Sequence, residues 1–360
     1  VPISAASTTD DRRPSAGASA SADRPVRDLT VLHSLHPPDG TTQFVDQMVE
    51  GAPGHVRIEF FSWRTALTGR YDVFHVHWPE LLIRRRSAVR RFLLRRALDV
   101  LMLRLRVQRI PLVWTAHNVE PHERGEAGER RSLARFTKAV DLVVRLNPTT
   151  VPPVGAERAE VITVLHGHYR SSLSAYPAAT AQPGRLLYFG IIRPYKGVPH
   201  LIDCFAQLAD PELTLRIVGK PHAGQGEIIE AATHADPRVT ARLEFVDDDV
   251  VVDEVTASEL VVLPYREQMH NSGVLLAALS LGRPVLVPAS PTNQALADEV
   301  GAPWIIQYEG DLDAAKLEAG LAAARRIPAG AEPDLGLRDW EHIGRQLADG
   351  YRDAIERLRA

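Results

Sequence analysis

One rhythm constrains this chain more than any other feature. Short, continuously apolar runs alternate with stretches long enough for helices, and the whole pattern occurs twice. In the first half the runs are Leu29–Leu35, Val56–Phe61, Val73–His77, Leu112–His117, Leu142–Leu146 and Val161–Leu165. In the second they are Leu186–Gly190, Leu213–Gly219, Leu243–Val246, Leu260–Tyr265, Val285–Pro288 and Trp304–Ile306. A strand that is apolar on both sides must be covered on both faces, as in parallel sheets built from strand–helix–strand units. The spacing therefore predicts an α/β protein with two doubly wound, Rossmann-like domains facing each other across a cleft. We place the domains at 28–170 and 185–335, joined by a Ser/Ala/Pro-rich linker at 171–184. Residues 1–27 have almost no large apolar side chains and read as a disordered tail, and 336–360 reads as a closing helix.

Composition narrows the function classes. The chain has 360 residues, enough for two domains with sizeable cores, and a formal charge of −3 that gives no electrostatic case for a nucleic-acid partner. Its one cysteine, Cys204, cannot form an internal disulfide or anchor a cysteine zinc site, and it suits a reducing compartment. No window reaches about 18 uninterrupted apolar residues, and the first residues lack the apolar core of a secretion signal. We expect a cytoplasmic protein.

In doubly wound domains ligands sit outside the carboxyl ends of the strands, so the residues that follow each run are the candidates. The first run of the second half leads into Gly190-Ile191-Ile192-Arg193-Pro194-Tyr195-Lys196-Gly197. Gly190 lets backbone approach a ligand, while Arg193 and Lys196 pair a bidentate guanidinium with a point charge, a combination suited to a diphosphate. Lysine is scarce, occurring only at Lys138, Lys196, Lys220 and Lys316 among 42 basic residues. The alternative is a surface turn with two solvated cations. Further on, a strand ends at Pro264-Tyr265 and Asn271-Ser272-Gly273 opens an apolar helix that stops at Gly282. Asn271 or Ser272 is a good N-cap, and the free N–H groups behind it form an anion site, unless the cap is purely structural.

With these residues in view, the sequence resembles nucleotide-sugar glycosyltransferases of the GT-B fold. The matching pieces run from Leu29 to about Ile306. Gly190-x-x-Arg193-x-x-Lys196-Gly197 is similar to the family's donor-diphosphate residues, and Leu263-Pro264-Tyr265 and Ala278-x-x-x-Gly282-x-Pro284-Val285 to the segments around its nucleotide loop. His75-Val76-His77-Trp78-Pro79-Glu80, Ala116 through Glu123, and Asn271-Ser272-Gly273 look most like bacterial exopolysaccharide enzymes that resemble GDP-mannose-dependent β-mannosyltransferases. There is one departure. Retaining members carry two glutamates eight positions apart, and here those positions fall on Met269 and Ala277, which favours an inverting reaction.

The resemblance implies that the first half supplies the acceptor side. The loop Asp39-Gly40-Thr41 stands where such enzymes approach the donor phosphate and the acceptor, and it lacks the Gly-x-Gly-x-x-Gly of a dinucleotide dehydrogenase. His77 and Trp78 follow the third run, with Trp78 able to stack on a sugar face, and His117, Asn118 and Glu120 follow the fourth. In the family a histidine at the position of His117 reaches the donor sugar. The candidate bases are Glu80, Glu120, His117 and Asp39, in that order. His166 either lines the cleft or packs at the hinge, and Tyr265 is a further cleft residue. No metal and no resident cofactor are expected. Asp247-Asp248-Asp249 lies where the fold expects a variable loop, and the histidines lack zinc-helix spacing.

Residues Leu81–Ile110 hold ten arginines and one carboxylate, Asp99, interspersed with leucines. Such a segment either contacts the inner face of an anionic membrane or forms the solvated face of a core helix. The reading as a whole is sugar transfer from a nucleoside diphosphate sugar, with GDP-mannose foremost and a UDP-sugar next, to a saccharide or lipid-linked acceptor. A nucleotide-sugar epimerase and a catalytically silent nucleotide-binding relative are the rival classes.

Overall fold

A computed structural model describes residues 27–38, 43–117, 125–266 and 271–360. The predicted tail up to residue 26 lies outside them, as do Asp39, Gly40, Thr41, Asn118 and Glu120.

The first half runs β1 (Leu29–His33), α1 (Gln43–Glu50), β2 (Val56–Phe60), α2 (Trp63–Thr68), β3 (Val73–Val76), α3 (Pro79–Ile83), α4 (Ala88–Gln108), β4 (Leu112–Ala116), α5 (Ala127–Ala139), β5 (Leu142–Arg145), β6 (Glu160–Thr163) and α6 (Arg170–Leu173). The second runs β7 (Arg185–Phe189), α7 (Val198–Phe205), β8 (Thr214–Val218), α8 (Gln225–Ala235), β9 (Val239–Arg242), α9 (Asp248–Ala257), β10 (Leu260–Val262), α10 (Gly273–Ser280), β11 (Val285–Pro288), α11 (Pro291–Val300), β12 (Ile305–Tyr308), α12 (Ala314–Ala324) and α13 (Trp340–Arg359).

Two six-stranded sheets result, ordered β2-β1-β3-β4-β5-β6 and β12-β11-β10-β7-β8-β9, with every described pairing parallel. The central strands are buried throughout: β3 and β4 present no exposed residue, nor does β10. This is the fold that continuous apolar runs require when both faces are covered. One strand differs from the sequence reading. The run Leu243–Val246 is not a strand, and β9 lies just before it at Val239–Arg242. As an edge strand paired only with β8, β9 needs no continuous apolar run, while Phe245 is 71% exposed.

The order of the first sheet sets up the site. It places β1, β3 and β4 side by side, with His33 and His75 as register partners. The last helix, α13, returns to the first half: Trp340, Ile343, Leu347 and Tyr351 share a core with Leu29, Val31, Val73 and Val113. The two halves are thus tied by the segment leading into β7 and by α13. Further bonds cross between them, from Gln43 to Asp248 and from Thr149 to Thr292 (2.7 Å).

Candidate active site

The second half builds a cationic wall. After β7 the chain turns at Gly190, whose φ of 110° is a region side chains avoid, and a Cβ there would stand 2.8 Å from Val274 Cγ2. A single 3-10 turn then carries Arg193 and Lys196, and closes at Gly197 with φ 71°, where a Cβ would meet the Pro264 carbonyl at 2.2 Å. Because neither position carries a side chain, the turn can lie close against the end of β10 and the start of α10. Lys196 is 8% exposed. Its ammonium donates to the Tyr265 hydroxyl at 3.1 Å and lies 4.2 Å from the centre of that ring. The Tyr265 hydroxyl is 3.2 Å from Ser272 Oγ, which in turn accepts from the Leu275 N–H as the N-cap of α10. Lys196, Tyr265, Ser272 and the α10 N-terminus therefore form one connected unit. Burial, and then the charge of Arg193, lowers the Lys196 pKa to about 8. Among the described residues no carboxylate pairs with it.

Across the cleft, a cavity of about 550 Å³ is lined by Trp78, Glu80, Leu81 and Arg84 from the first half and by Arg193, Pro194, Tyr195 and His222 from the second. Glu80 is the carboxylate among those lining residues. It sits in the first turn of α3 behind Pro79, while Arg84 is held by Glu129 at 2.8 Å. A second, smaller cavity of about 200 Å³ adjoins Asn271, Ser272 and Tyr265. Asn271 bridges the halves, accepting from Asn147 at 3.3 Å and donating to the His117 carbonyl at 3.5 Å.

The first half carries a row of imidazoles on and just after β1, β3 and β4. His33 Nδ1 is 3.0 Å from His77 Nε2, and His77 Nδ1 is 3.0 Å from His117 Nε2. His75 stacks on His77 with ring centres 4.5 Å apart, and its nitrogens meet the Tyr351 hydroxyl and Thr115 Oγ1, both at 2.7 Å. Burial lowers the pKa of His33 and of His117 to about 3, and holds His75 and His77 well below the ordinary value. All four are neutral at physiological pH. A neutral imidazole has one N–H and one lone pair, so both hydrogen bonds of the row must run in the same direction. His117, with Trp78 stacked 4.4 Å away, is the outer end of that row. Its low pKa makes it a hydrogen-bonding partner rather than an effective base. The nitrogens of His33, His75 and His77 lie within 4.8 Å of one another, a grouping that could hold an ion and that the linear spacing does not reveal. In this structure those nitrogens are hydrogen-bonded instead.

The remaining candidates fall as follows. Gly273 is the first residue of α10, whose opening N–H groups have no partner within the helix. His166 Nδ1 donates to the Gly167 carbonyl (2.9 Å), and the ring packs among Phe44, Tyr169 and Trp340, where the first half meets α13; burial lowers its pKa to about 4. Asp248 and Asp249 occupy the first turn of α9, where carboxylates complement the helix dipole. Sequence reasoning missed the joint role of His33 and His75. Their signal was present, as histidines at the ends of strands that the sheet order makes neighbours.

Two parallel α/β lobes with a cationic, capped wall on one side of their cleft and a carboxylate on the other define a GT-B glycosyltransferase. Residues 183–319 match the family described as glycosyl transferases group 1. The chain is 44% identical over 345 residues to a GDP-mannose:glycolipid 4-beta-D-mannosyltransferase of Xanthomonas campestris pv. campestris, covering 94% of this chain and 97% of that one. It belongs to that family of glycosyltransferases. Among solved structures, Anabaena HepE in complex with UDP aligns with a TM-score of 0.55 at 15% identity, over 92% of this chain and 98% of that one. Sucrose-phosphate synthase from Thermosynechococcus elongatus aligns at 0.53 with 15% identity, over 92% and 95%. These two likenesses show the fold.

Proposed function

We propose that this glycosyltransferase moves mannose from GDP-mannose to a hydroxyl of a glycolipid, inverting the anomeric centre, with no metal ion or resident cofactor. The donor and acceptor are those named for the Xanthomonas relative. The mannose of GDP-mannose is α-linked, so a β product requires inversion, in keeping with Ala277 where retaining enzymes carry a glutamate.

The observation that carries the reading is Lys196. A buried ammonium without a carboxylate is unfavourable on its own, and becomes favourable when an anion arrives. Beside it stand Arg193 and the N-terminus of α10. In the reaction the acceptor oxygen bonds to the anomeric carbon as the bond to the diphosphate breaks, and negative charge grows on the leaving group. Preorganised cations and N–H groups of this kind contribute several kcal/mol to the transition state. The acceptor proton passes to a base on the first-half wall. Glu80 is our candidate for it, supported by its lining the same cavity as Arg193. His117, neutral and oriented by His77, serves as a fixed hydrogen-bonding group toward the sugar.

A lipid-linked acceptor also gives meaning to α4. Among the described residues no helix is long and apolar enough to cross a membrane. Helix α4 buries Leu98, Leu101 and Leu105, yet exposes Val89, Phe92, Leu93, Val100, Leu103 and Val107. At 3.6 residues per turn those six fall on one stripe opposite the buried face, a second apolar side facing solvent. With arginines along its edges, this stripe suits an anionic bilayer.

The test is incubation with GDP-mannose, UDP-glucose or UDP-N-acetylglucosamine, with and without lipid-linked saccharides. Acceptor-dependent release of GDP supports the proposal. Consumption of a UDP-sugar in its place overturns the donor. Acceptor-free conversion to another sugar supports an epimerase, and binding without turnover a silent relative.

A further inference from the structure

We infer that a cavity on the far side of the first domain, framed by Arg106, Arg109, Lys138 and Arg158, binds the phosphate of an anionic lipid headgroup. This rests on the membrane-facing role of α4 proposed above and gives that surface a specific ligand. The cavity, about 510 Å³, lies where α4 and α5 end and β4 and β5 begin, away from the cleft.

Its charge is unbalanced. Arg135 is held by Asp99 at 2.9 Å, and Asp141 accepts the Leu112 N–H at 2.8 Å while burial raises its pKa. Arg106, Arg109 and Arg158 have no ion-pair partner among the described residues. Part of this charge complements the ends of α4 and α5, where cations are favourable. Arg109 requires a further reason. Among the described residues it is the non-glycine with a positive φ, 53°, at the position where glycine or asparagine usually closes a helix. A residue kept in an unfavourable conformation points to a use for its side chain. Arg109 lines the cavity, as does Arg106 about one turn earlier on α4.

The wall identifies the kind of phosphate. Beside these cations the lining includes the apolar residues Met102, Leu105, Ile110 and Leu358. Free phosphate has no use for such a wall, whereas the glycerol and upper acyl carbons of a phospholipid do. Leu103 belongs both to this cavity and to the exposed stripe of α4, at 62% exposure. The headgroup site and the bilayer face are therefore continuous.

The experiment uses the full chain and flotation with vesicles of phosphatidylcholine, alone or with one-fifth phosphatidylglycerol, at physiological salt. We expect at least tenfold stronger partition to the anionic vesicles. Arg106→Gln with Arg158→Gln should reduce that preference at least fivefold, whereas Arg64→Gln with Arg326→Gln, which removes the same charge elsewhere, should leave most of it. Arg109→Gly separates binding from folding: it should preserve or raise the melting temperature and still weaken the anionic preference. Equal binding to both vesicle types overturns the headgroup site and leaves the α4 surface standing. No binding to either overturns both. Stabilisation by millimolar glycerol 1-phosphate or inorganic phosphate, without any vesicle preference, overturns the lipid as ligand.

Discussion

Acidification should unfold the first domain well before ordinary proteins respond. His33, His75, His77, His117 and His166 are each held below the ordinary histidine value by burial, with His33 and His117 at about 3 and His166 at about 4. In the unfolded chain these groups titrate near 6.5. Because the folded values are depressed, the unfolded state binds more protons, and stability is lost as pH falls from about 6.5 toward the folded values. At pH 5.5 each unfolded imidazole is about nine-tenths protonated, which corresponds to about 1.4 kcal/mol per histidine and about 7 kcal/mol for five. That is comparable to the whole stability of a typical domain. The assay is urea unfolding between pH 7.5 and 5.5, read by circular dichroism and by hydrogen exchange of amides in β1, β3 and β4. Unfolding at pH 5.5 should take up between four and five protons, and His33→Leu should remove about one from that slope. A slope below one proton would refute the claim that the imidazole row is buried and neutral.

Lys196→Ala should lower turnover at least tenfold and weaken GDP binding by about 1.5–3 kcal/mol, the range for a charge-assisted hydrogen bond, while thermal unfolding shows the protein intact. Because Lys196 is protonated only below about 8, GDP affinity should fall as pH rises beyond that value, and binding at pH 8.5 should take up a proton, measurable by calorimetry in buffers of different ionisation heat. Glu80→Gln should reduce kcat by about 10²–10⁴, the usual contribution of a general base, with GDP affinity within about twofold; an unchanged kcat removes Glu80 as base. Gly190→Ala should destabilise by about 1–3 kcal/mol, from its positive φ and its approach to Val274, and Gly190→Ala/Val274→Ala should recover the steric part. Phe92→Asp with Leu103→Asp should abolish vesicle flotation with little change in stability, since both side chains face solvent.

Much of the fold was legible because burial on both faces leaves a mark in every central strand: Val73–Val76 and Leu260–Val262 could hardly be anything else. The mark fades at an edge. Strand β9 is sheltered by one neighbour, so its Val-Thr-Ala-Arg carries no apolar run, and the reading slid to Leu243–Val246. In the site, Arg193 and Lys196 could be picked out because residue type and strand-end position agree. The Lys196–Tyr265–Ser272 link could not, since it joins residues 69 and 7 positions apart through side-chain geometry alone. The imidazole row was hidden for a topological reason. His33 meets His75 only because β1 lies beside β3, an order no local pattern encodes. The same holds for α13, whose apolar stripe announces that it must be covered without saying by which half.

That last helix changes how the cleft must be understood. Its Tyr351 hydroxyl meets His75, the ring on which His77 stacks, and His77 orients His117 at the cleft. Just before it, Arg338 pairs with Glu299 of the second half at 2.6 Å and donates to the His166 carbonyl at 2.9 Å. The end of the chain therefore grips the second half through Arg338 and the floor of the first through Tyr351. In the proposed reading, the sugar donor is held by Lys196 and Arg193 on one lobe and the acceptor lies beside Glu80 on the other. Their alignment to within the few tenths of an ångström that transfer needs depends on how the lobes are set against each other. Tyr351→Phe tests this coupling. It removes one hydroxyl from a fully buried contact far from either substrate, so ring packing is retained and GDP affinity should hold. Loss of the bond frees His75 Nδ1 and, through the stacked rings, the orientation of His117, so kcat should fall severalfold while KM for the donor stays. A drop in donor affinity with kcat preserved would show that α13 acts on the nucleotide lobe alone, and the proposed link between the two walls would fail.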